Sequence, residues 1–467
     1  MSTGRSADAQ QGGPRAGQRN GPQPGPESRL EAADARAHGD AAQHAHPFDP
    51  LAAVRAPGDP ACDVYLAGTV FLDIVFTGLD SAPVRGTESW ARGMGSSPGG
   101  VANMATALAR LGLRTSLAAA FGDDMYGDYC REALDKGEGI DLTLSHTVPG
   151  WHSPVTVSMA YEGERTMVSH GHAAPGHGGA PIDPEAPHCP PPARACVTSL
   201  AHGDGQEWIA TAARRGSRVF ADVGWDVTGR WDLDALPGLE HCEAFLPNAE
   251  EAMRYTRTDN PRAAARALAE RVPVAVVTLG EQGCCAVDGR TGQSAEVPGI
   301  PVDALDTTGA GDVFVAGFVL GSLAGWPLAD RLAFAGLTSA LSVQEFGGSL
   351  SAPGWPEIGA WWARVREEHT AERPGPSPDT YRFLDAVLTG CPGSAPRRRA
   401  LPTIGFGRAP GGPPWPSGPD PGPDPGPDPG PDPGPDPGPD PGPDPGPDPG
   451  PDPGPDPGPD PGPDPGP

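Results

Sequence analysis

The segment DTTGAGD, residues 306–312, combines residue types that can bind and transfer an anion. It precedes VFVAGFVLGSLAG, an apolar stretch that predicts a buried helix. A helix start carries unpartnered N–H groups and a partial positive charge, and Gly309, Ala310 and Gly311 leave those groups open to an anion. Asp312 falls in the first turn; it could simply cap the helix, but capping does not account for the glycine pair. The combination favours phosphoryl transfer, with amides for the migrating charge and a carboxylate to take a hydroxyl proton.

A resemblance to a known family runs through most of the region 61–355. DTTGAGDVF resembles the C-terminal signature of the ribokinase-like carbohydrate kinases, also called the pfkB family. Other segments that resemble the family stand in the family's order: AGTVFLD, SPGGVANMATALARLG, YEGERT, FLPNAEEA and VTLGEQG. The resemblance implies an α/β, three-layer sandwich with a mainly parallel central sheet and a small β lid. It also implies ATP and Mg²⁺ as cofactors, an anion hole at Gly309 to Gly311, and Asp312 as the catalytic base.

The resemblance assigns the acceptor sugar to residues in the first half of this region. Asp73, expected at the end of the first strand, would hydrogen-bond substrate hydroxyl groups. Gly99, Gly100 and Asn103 would line the sugar pocket. By residue type alone, Asp73 could be a strand-end cap, and Asn103 could be an ordinary helix residue. These substrate-binding roles are therefore expectations that depend on the resemblance.

The nucleotide and its metal would be bound by later segments. In FLPNAEEA, Asn248 and Glu251 match the family's N-x-x-E motif, which organises Mg²⁺ and phosphate from the outer shell; the same pair has the shape of a helix capping box. Asp306 and Thr308 match positions that hold a monovalent cation, K⁺, in some relatives. The nucleotide-binding positions that the resemblance implies are Asn248, Thr278, Gly280, Gly283, Gly309 and Gly311.

The elements that must position these residues alternate along the chain. DVYLAGTV, ARACVTSL, SRVFADVG, CEAFLPN and VPVAVVTLG predict strands, several of them apolar enough to be covered on both faces. VANMATALARLG has apolar residues at helical spacing and ends at Gly112, and NPRAAARALAERV predicts a helix with Pro261 near its start. SPVTVSMAYEGERTMVS alternates around a Glu-Gly turn and predicts an antiparallel hairpin, a candidate lid.

Composition sets the two ends of the chain apart from its middle. The sequence has 67 glycines and 63 prolines, concentrated toward the ends, and from Gly418 it repeats Gly-Pro-Asp-Pro. Glycine at every fourth position excludes a collagen triple helix, which requires it at every third. Neither end has enough apolar residues to offset its ordering entropy. The predicted organisation is a disordered segment 1–60, a kinase domain 61–370, a Pro/Gly-rich linker 371–417 and a disordered acidic tail 418–467.

Charge and cysteine usage limit the classes of partner. The formal charge is −27, or −15 without the twelve aspartates of the tail, which argues against nucleic acid and anionic membranes. The N-terminus has no apolar stretch of a secretory signal, and the eight cysteines show no C-x-x-C pattern. The expected setting is cytoplasmic, with a small-molecule sugar and ATP as partners and, as a further expectation, a homodimer through the lid.

The function that these residues predict is transfer of the γ-phosphate of ATP to a hydroxymethyl group of a sugar. An adenosine-type nucleoside kinase is the nearest alternative, although the lid segment offers only Trp151 and Tyr161 to stack on a base. A catalytically idle sugar sensor on the same fold is another alternative, disfavoured by retention of Asp312 and the N-x-x-E motif. A Rossmann oxidoreductase is disfavoured because the turn at residues 309–311 lacks the third glycine of that fingerprint.

Overall fold

The computed structural model describes residues 48–79, 81–161, 164–172, 190–201, 207–368 and 376–391. All of them lie within the compact unit Met1–Gly407. The predicted acidic tail, and most of the segments predicted to flank the kinase domain, lie outside these residues.

Within the described ranges, fourteen strands form three sheets. In chain order they are β1 (Cys62–Ala67), β2 (Val70–Leu79), β3 (Ala91–Gly100), β4 (Thr115–Ala118), β5 (Ala120–Gly122), β6 (His146–Val148), β7 (Val155–Tyr161), β8 (Glu164–His170), β9 (Ala193–Leu200), β10 (Arg218–Val223), β11 (Cys242–Phe245), β12 (Val274–Thr278), β13 (Cys284–Asp288) and β14 (Ser294–Val297). The large sheet has the order β14-β13-β12-β11-β10-β9-β1-β4. Its strands from β12 to β4 pair in parallel, and β13 and β14 add an antiparallel edge.

Ten helices occur in the described residues: α1 (Val101–Arg110), α2 (Met125–Glu132), α3 (Glu207–Arg214), α4 (Ala249–Thr256), α5 (Pro261–Leu268), α6 (Ala310–Leu323), α7 (Leu328–Ser342), α8 (Trp355–Glu368), α9 (Pro378–Tyr381) and α10 (Leu384–Leu388). They cover both faces of the large sheet. Helices α1, α6, α7 and α8 share one apolar cluster, and α3, α4 and α5 share the other. On β1, Val64 and Leu66 face the first cluster while Tyr65 faces the second. The predicted three-layer α/β sandwich is confirmed.

A second, smaller sheet covers part of the domain as the predicted lid. It has the order β3-β2-β7-β8, with β2 parallel to β7 and the β7–β8 hairpin antiparallel. The expected strand AGTVFLD is in fact divided: β1 ends at Ala67 and β2 begins at Val70. Asp73 therefore lies within β2 of the lid sheet, where it pairs with Ser97 and Thr156, and not at the end of the first strand. The remaining two strands, β5 and β6, form a small parallel pair.

The helix ends follow their local sequences. Helix α5 begins with Pro261 in its first turn, and the Asn260 side chain accepts from the amides of Arg262 and Ala263. After α1, Gly112 adopts a positive φ of 89°, which a residue with a side chain rarely does. Both ends were predicted from the sequence.

The folded unit extends beyond the predicted domain boundaries at residues 61 and 370. Leu51 is fully buried in the first apolar cluster, and the ring of Phe48 packs edge-to-face on Trp355. After residue 375, Tyr381 and Leu384 are also buried in that cluster. Isolated apolar residues in polar or proline-rich surroundings show no periodicity, so the sequence does not reveal that they pack on a distant core.

The described residues have neither a disulfide nor a membrane helix. Their seven cysteines are free thiols, of which five are buried. Across these residues, no helix is both long and apolar enough to cross a bilayer.

The C-terminal segment 376–391 should contribute to stability. Leu384 is completely buried, so Leu384→Ala is expected to lower the free energy of unfolding by about 2–5 kcal/mol in urea or thermal denaturation. Arg382→Ala is the control, since Arg382 is exposed and pairs with exposed Asp379; its loss should cost less than about 1 kcal/mol. Equal stability of the two variants would contradict the packing of this segment.

Candidate active site

Asp312 lies in the first turn of α6, at the N-terminal end of a helix whose later residues are buried. Gly309 caps this helix with a φ of 74° and makes no side-chain cap hydrogen bond. The side-chain amide of Asn103 in α1 donates to Asp312 Oδ2 at 2.9 Å. Two residues 209 positions apart in sequence thus meet at the start of two helices.

The environment of Asp312 suits a general base. Burial, together with the nearby charge of Asp73, raises the pKa of the Asp312 carboxyl to about 6, although the hydrogen bond from Asn103 acts in the opposite direction. A carboxylate with a pKa near neutrality accepts a proton more readily than an ordinary aspartate and is still ionised at pH 7.

Asp73 approaches this position from the lid. Its side chain is 8% exposed and lies directly against the backbone of Gly99. A Cβ atom on Gly99 would be 1.9 Å from Asp73 Oδ2, so any larger residue there would displace the Asp73 carboxylate. Gly100 has a φ of 63°, and a Cβ atom on it would be 2.4 Å from the Thr69 carbonyl oxygen. The predicted glycine pair therefore makes room for the Asp73 carboxylate and for the turn into α1.

The turn before α6 differs in one respect from the expected anion hole. The amide of Ala310 donates to the Thr307 carbonyl at 3.3 Å, so it is not open to a ligand as predicted. Gly309 and Gly311 remain in the first turn, where helix geometry supplies no acceptor one turn earlier. Asp306 Oδ1 accepts from the amide and hydroxyl of Thr308 at 2.9 and 2.6 Å. Both residues predicted for a monovalent cation thus help to hold this turn in place.

Asn248 and Glu251 form the capping box that their spacing predicts. Asn248 Oδ1 accepts from the Glu251 amide at 3.0 Å, and Glu251 Oε2 accepts from the Asn248 amide at 2.9 Å. Burial raises the pKa of the Glu251 carboxyl to about 7, and the charge of Asp222 contributes. The two residues are therefore held rigidly at the N-terminus of α4.

Asp222 is a site residue that the sequence analysis did not single out. It lies near the C-terminal end of β10, and its Oδ1 is buried without a hydrogen-bond partner among the described residues. Burial and the charge of Asp312 raise the pKa of its carboxyl to about 7. The available signal was its position after the apolar run of SRVFADVG, because ligands of parallel α/β sheets bind at the carboxyl ends of strands.

The acids fit a hydrated divalent cation. The charge of Asp312 raises the pKa of Asp222, and the charge of Asp222 raises the pKa of Glu251. A cation near these three carboxyl groups would lower their raised pKa values. No group of three His, Cys, Asp or Glu side chains in the described part of the chain is placed to bind a metal directly. Mg²⁺ that is bound through water and substrate phosphate, as it commonly is, needs no such group.

The predicted nucleotide loop lies next to the capping box. Thr278 ends β12 and forms a parallel bridge with Asn248. Gly280 and Gly283 both have positive φ, 59° and 101°. A Cβ atom on Gly283 would be 2.1 Å from the Val297 carbonyl oxygen, whereas one on Gly280 would meet nothing within 4 Å. Gly283 is thus required by packing, and Gly280 borders open space.

The two lid aromatics considered for base stacking differ in exposure. Trp151 is 4% exposed, packs with Ala120 and Val148, and donates its Nε1–H to the His172 carbonyl at 3.2 Å. It is therefore not available to stack on a nucleobase. Tyr161, at the end of β7, is half-buried.

Known proteins share this architecture and sequence pattern. The chain is 36% identical over 129 residues to a ribokinase of Schizosaccharomyces pombe; the match covers 26% of this chain and 40% of that protein. It is 28% identical over 300 residues to a nucleoside kinase of Methanothermobacter thermautotrophicus, covering 62% and 92% of the two chains. The structure of Arabidopsis thaliana ribokinase complexed with ribose and ATP matches with a TM-score of 0.51 at 23% identity, covering 63% of this chain and 96% of that one.

A model of one family spans the whole site. The model described as pfkB family carbohydrate kinase matches residues 72–355, from the strand that carries Asp73 to the start of α8. This range is more than half of the chain and includes every site residue described above. The chain therefore belongs to the pfkB family of carbohydrate kinases.

Proposed function

We propose that the protein transfers the γ-phosphate of ATP to a hydroxymethyl group of a sugar or sugar-like acceptor. The observation that carries this proposal is the placement of Asp312. It is a half-buried residue whose carboxyl has its pKa raised to about 6, at a glycine-capped helix N-terminus and within the electrostatic reach of Asp73. A base and an anion-binding helix start at one point are what phosphoryl transfer to a hydroxyl requires.

In the proposed reaction, Asp73 accepts hydrogen bonds from acceptor hydroxyls and orients the reacting one, with Gly99 and Gly100 shaping the adjacent wall. Asp312 takes the proton of the reacting hydroxyl. The hydroxyl oxygen bonds to the γ-phosphorus as the bond between that phosphorus and the leaving ADP oxygen breaks. Asn103 holds the Asp312 carboxylate in position at 2.9 Å. The amides of Gly309 and Gly311 stabilise the charge on the transferring group.

Asn248, Glu251 and Asp222 would hold Mg²⁺ from the outer shell, through water. The metal, when bound, neutralises phosphate charge. Thr278 and Gly280 would border the nucleotide, since they adjoin Asn248 and open space, and Gly283 shapes their turn. From the resemblance we also retain Asp306 and Thr308 as a candidate border of a K⁺ site.

A nucleoside kinase is the second candidate function, favoured by the match to the nucleoside kinase over 300 residues. The burial of Trp151 counts against base stacking at the lid. A sugar sensor without activity is disfavoured by the raised pKa of Asp312, which sensing alone does not require. Assaying ADP release with pentoses, hexoses, keto-deoxy acids and nucleosides would decide; turnover with nucleosides alone would reject the sugar assignment.

We further propose a homodimer through the lid and a cytoplasmic setting. Met167 and Val168 of β8 are 58% and 61% exposed on the edge strand of the lid sheet, a position where strands commonly associate. The free thiols of the described residues fit a reducing compartment.

Asp312→Asn should abolish turnover and leave nucleotide binding nearly intact, because an amide cannot take the hydroxyl proton. The expected loss in kcat is about 10²–10⁴-fold. Asp330→Asn is the control, since Asp330 occupies the first turn of the neighbouring helix α7 outside the site. A purified Asp312→Asn variant with near-normal kcat would exclude Asp312 as the base.

Glu251→Gln and Asp222→Asn should raise the Mg²⁺ concentration needed for half-maximal rate, with little effect on the KM of the acceptor. Both changes remove a charge that faces the proposed cation while keeping the shape of the side chain. Glu250→Gln is the control, because Glu250 is exposed and pairs with Arg254. An unchanged Mg²⁺ titration with a raised acceptor KM would assign these residues to the sugar instead.

Without Mg²⁺, the site acids should make stability fall as pH rises. The folded pKa values of Asp312, Asp222 and Glu251 are about 6, 7 and 7, above the unfolded values of about 4. The folded state therefore binds protons more tightly, and its stability is lost as pH rises from about 4 through about 7. Calorimetry in EDTA should show Tm declining over this window, with a shallower decline in Asp222→Asn. If Tm of Asp222→Asn declined with pH as steeply as that of the wild-type protein, ionisation of Asp222 would not be a cause of the decline.

A further inference from the structure

Arg110, at the C-terminal end of α1, and Glu138 form an ion pair that is buried, 3% and 1% exposed. The guanidinium binds the carboxylate through two hydrogen bonds, Nε to Oε2 at 3.0 Å and Nη2 to Oε1 at 2.8 Å. Such a fork-to-fork arrangement fixes the orientation of the guanidinium plane as well as its position.

The third nitrogen of Arg110 anchors a distant part of the chain. Its Nη1 donates to the carbonyl oxygens of Leu350 and Ala352 at 2.9 and 2.6 Å. These residues belong to a short turn at Gly348–Ser351 and the residue that follows it. Once Glu138 has fixed the guanidinium, the position of this turn is fixed too.

The turn at Gly348–Ser351 packs against the proposed catalytic residues. The Gly347 amide donates to Asp306 Oδ2 at 3.1 Å. A Cβ atom on Gly309 would be 3.1 Å from the Gly348 Cα, and one on Gly348 would be 2.7 Å from Asn103 Oδ1. The turn at Gly348–Ser351 thus lies directly against the turn before α6, residues 306–309, which we call the anion-binding turn. On its other side it lies against Asn103.

Asn103 and Arg110 are seven residues apart in α1, so they lie on the same helix face, two turns apart. The first holds Asp312, and the second holds the turn that packs on Gly309. We propose that Arg110, oriented by Glu138, is a positioning residue for phosphoryl transfer, which sets the anion-binding turn and the Asp312 carboxylate in register. This inference rests on the proposed kinase function.

A buried ion pair fills a core less favourably than apolar side chains do, because both charges lose their hydration. This indicates a role for the pair beyond packing. Burying both charges carries a desolvation cost that their attraction must offset, and apolar residues often stabilise such positions equally well. An apolar pair could not donate to the carbonyls of Leu350 and Ala352, however. The pair provides a fixed donor for two backbone acceptors at a defined position.

Arg110→Lys tests the role, because lysine keeps the charge but lacks the fork that reaches Glu138 and both carbonyls together. We expect kcat to fall about 10–100-fold, as slight misplacement of reacting groups does, with both KM values nearly unchanged. Amide hydrogen exchange over residues 306–312 should become at least about tenfold faster. Exchange is independent of turnover, so it reports on Arg110 even if the wild-type protein phosphorylates no acceptor, a result that would reject only the proposed function.

Arg114→Lys is the matched control. Arg114 also forks onto a buried carboxylate, Asp63, at 3.1 and 2.9 Å, and donates to the Pro60 carbonyl at 3.1 Å. Asp63 stands at the start of β1, at the edge of the sheet opposite the strand ends that carry the site. Its variant should lose stability with no change in kcat or in exchange over residues 306–312.

A second variant keeps the test decisive if Arg110→Lys fails to fold. Arg110→Met combined with Glu138→Leu removes both charges, which buried pairs often tolerate, but it leaves the turn unanchored. A folded double variant with lowered kcat and faster exchange over residues 306–312 supports the proposal. Wild-type kcat and exchange in either folded variant, or equal effects in Arg114→Lys, would overturn it.

Discussion

The repulsion between the carboxylates gathered at the site is the constraint on which its arrangement depends. Asp73 and Asp222 each interact electrostatically with another site acid, and Asp312 and Glu251 complete the series. Burial adds a desolvation cost to the charges of Asp222, Glu251 and Asp312. A sequence could satisfy packing better with apolar residues at these positions. Because acids stand there instead, the negative charge of the site must be offset by bound protons or cations. The raised pKa values of Asp222, Glu251 and Asp312 reflect this excess of negative charge.

The parallel sheet and the lid bring these acids together from opposite sides. β10 and the chain after β11 deliver Asp222 and Asn248 at the carboxyl edge of the large sheet, where parallel strands all end. Asp73 arrives instead from the middle of a lid strand. The acceptor would then be held by the lid, and the phosphoryl donor by the sheet and its helices.

Local sequence specifies the elements better than the contacts between them. Apolar runs predicted the strands, and Asn260, Pro261 and Gly112 marked helix ends, because each of these signals acts within a few residues. The position of Asp73 in a lid strand, the hydrogen bond of the Ala310 amide and the core contact of Leu384 depend on residues far away or on exact turn geometry. Asp222 was missed for another reason: one acid after an apolar run has no spacing pattern of its own, and only its neighbours in space give it a role.

The helices of this fold differ in how their N-termini are capped. Helices α2, α4 and α5 are capped by the side chains of Asp124, Asn248 and Asn260, which accept hydrogen bonds from their first-turn amides. Helices α1 and α6 begin instead at Gly100 and Gly309, and neither glycine can make a side-chain cap. These two helices are the ones that carry Asn103 and Asp312. A glycine cap supplies no side-chain acceptor, and the first amides of these helices donate instead to backbone carbonyls, Val101 to Thr69 at 3.1 Å and Ala310 to Thr307 at 3.3 Å. At α6, the proposed phosphate contact therefore falls to the backbone amides of Gly309 and Gly311, which the glycine cap leaves uncovered by any side chain.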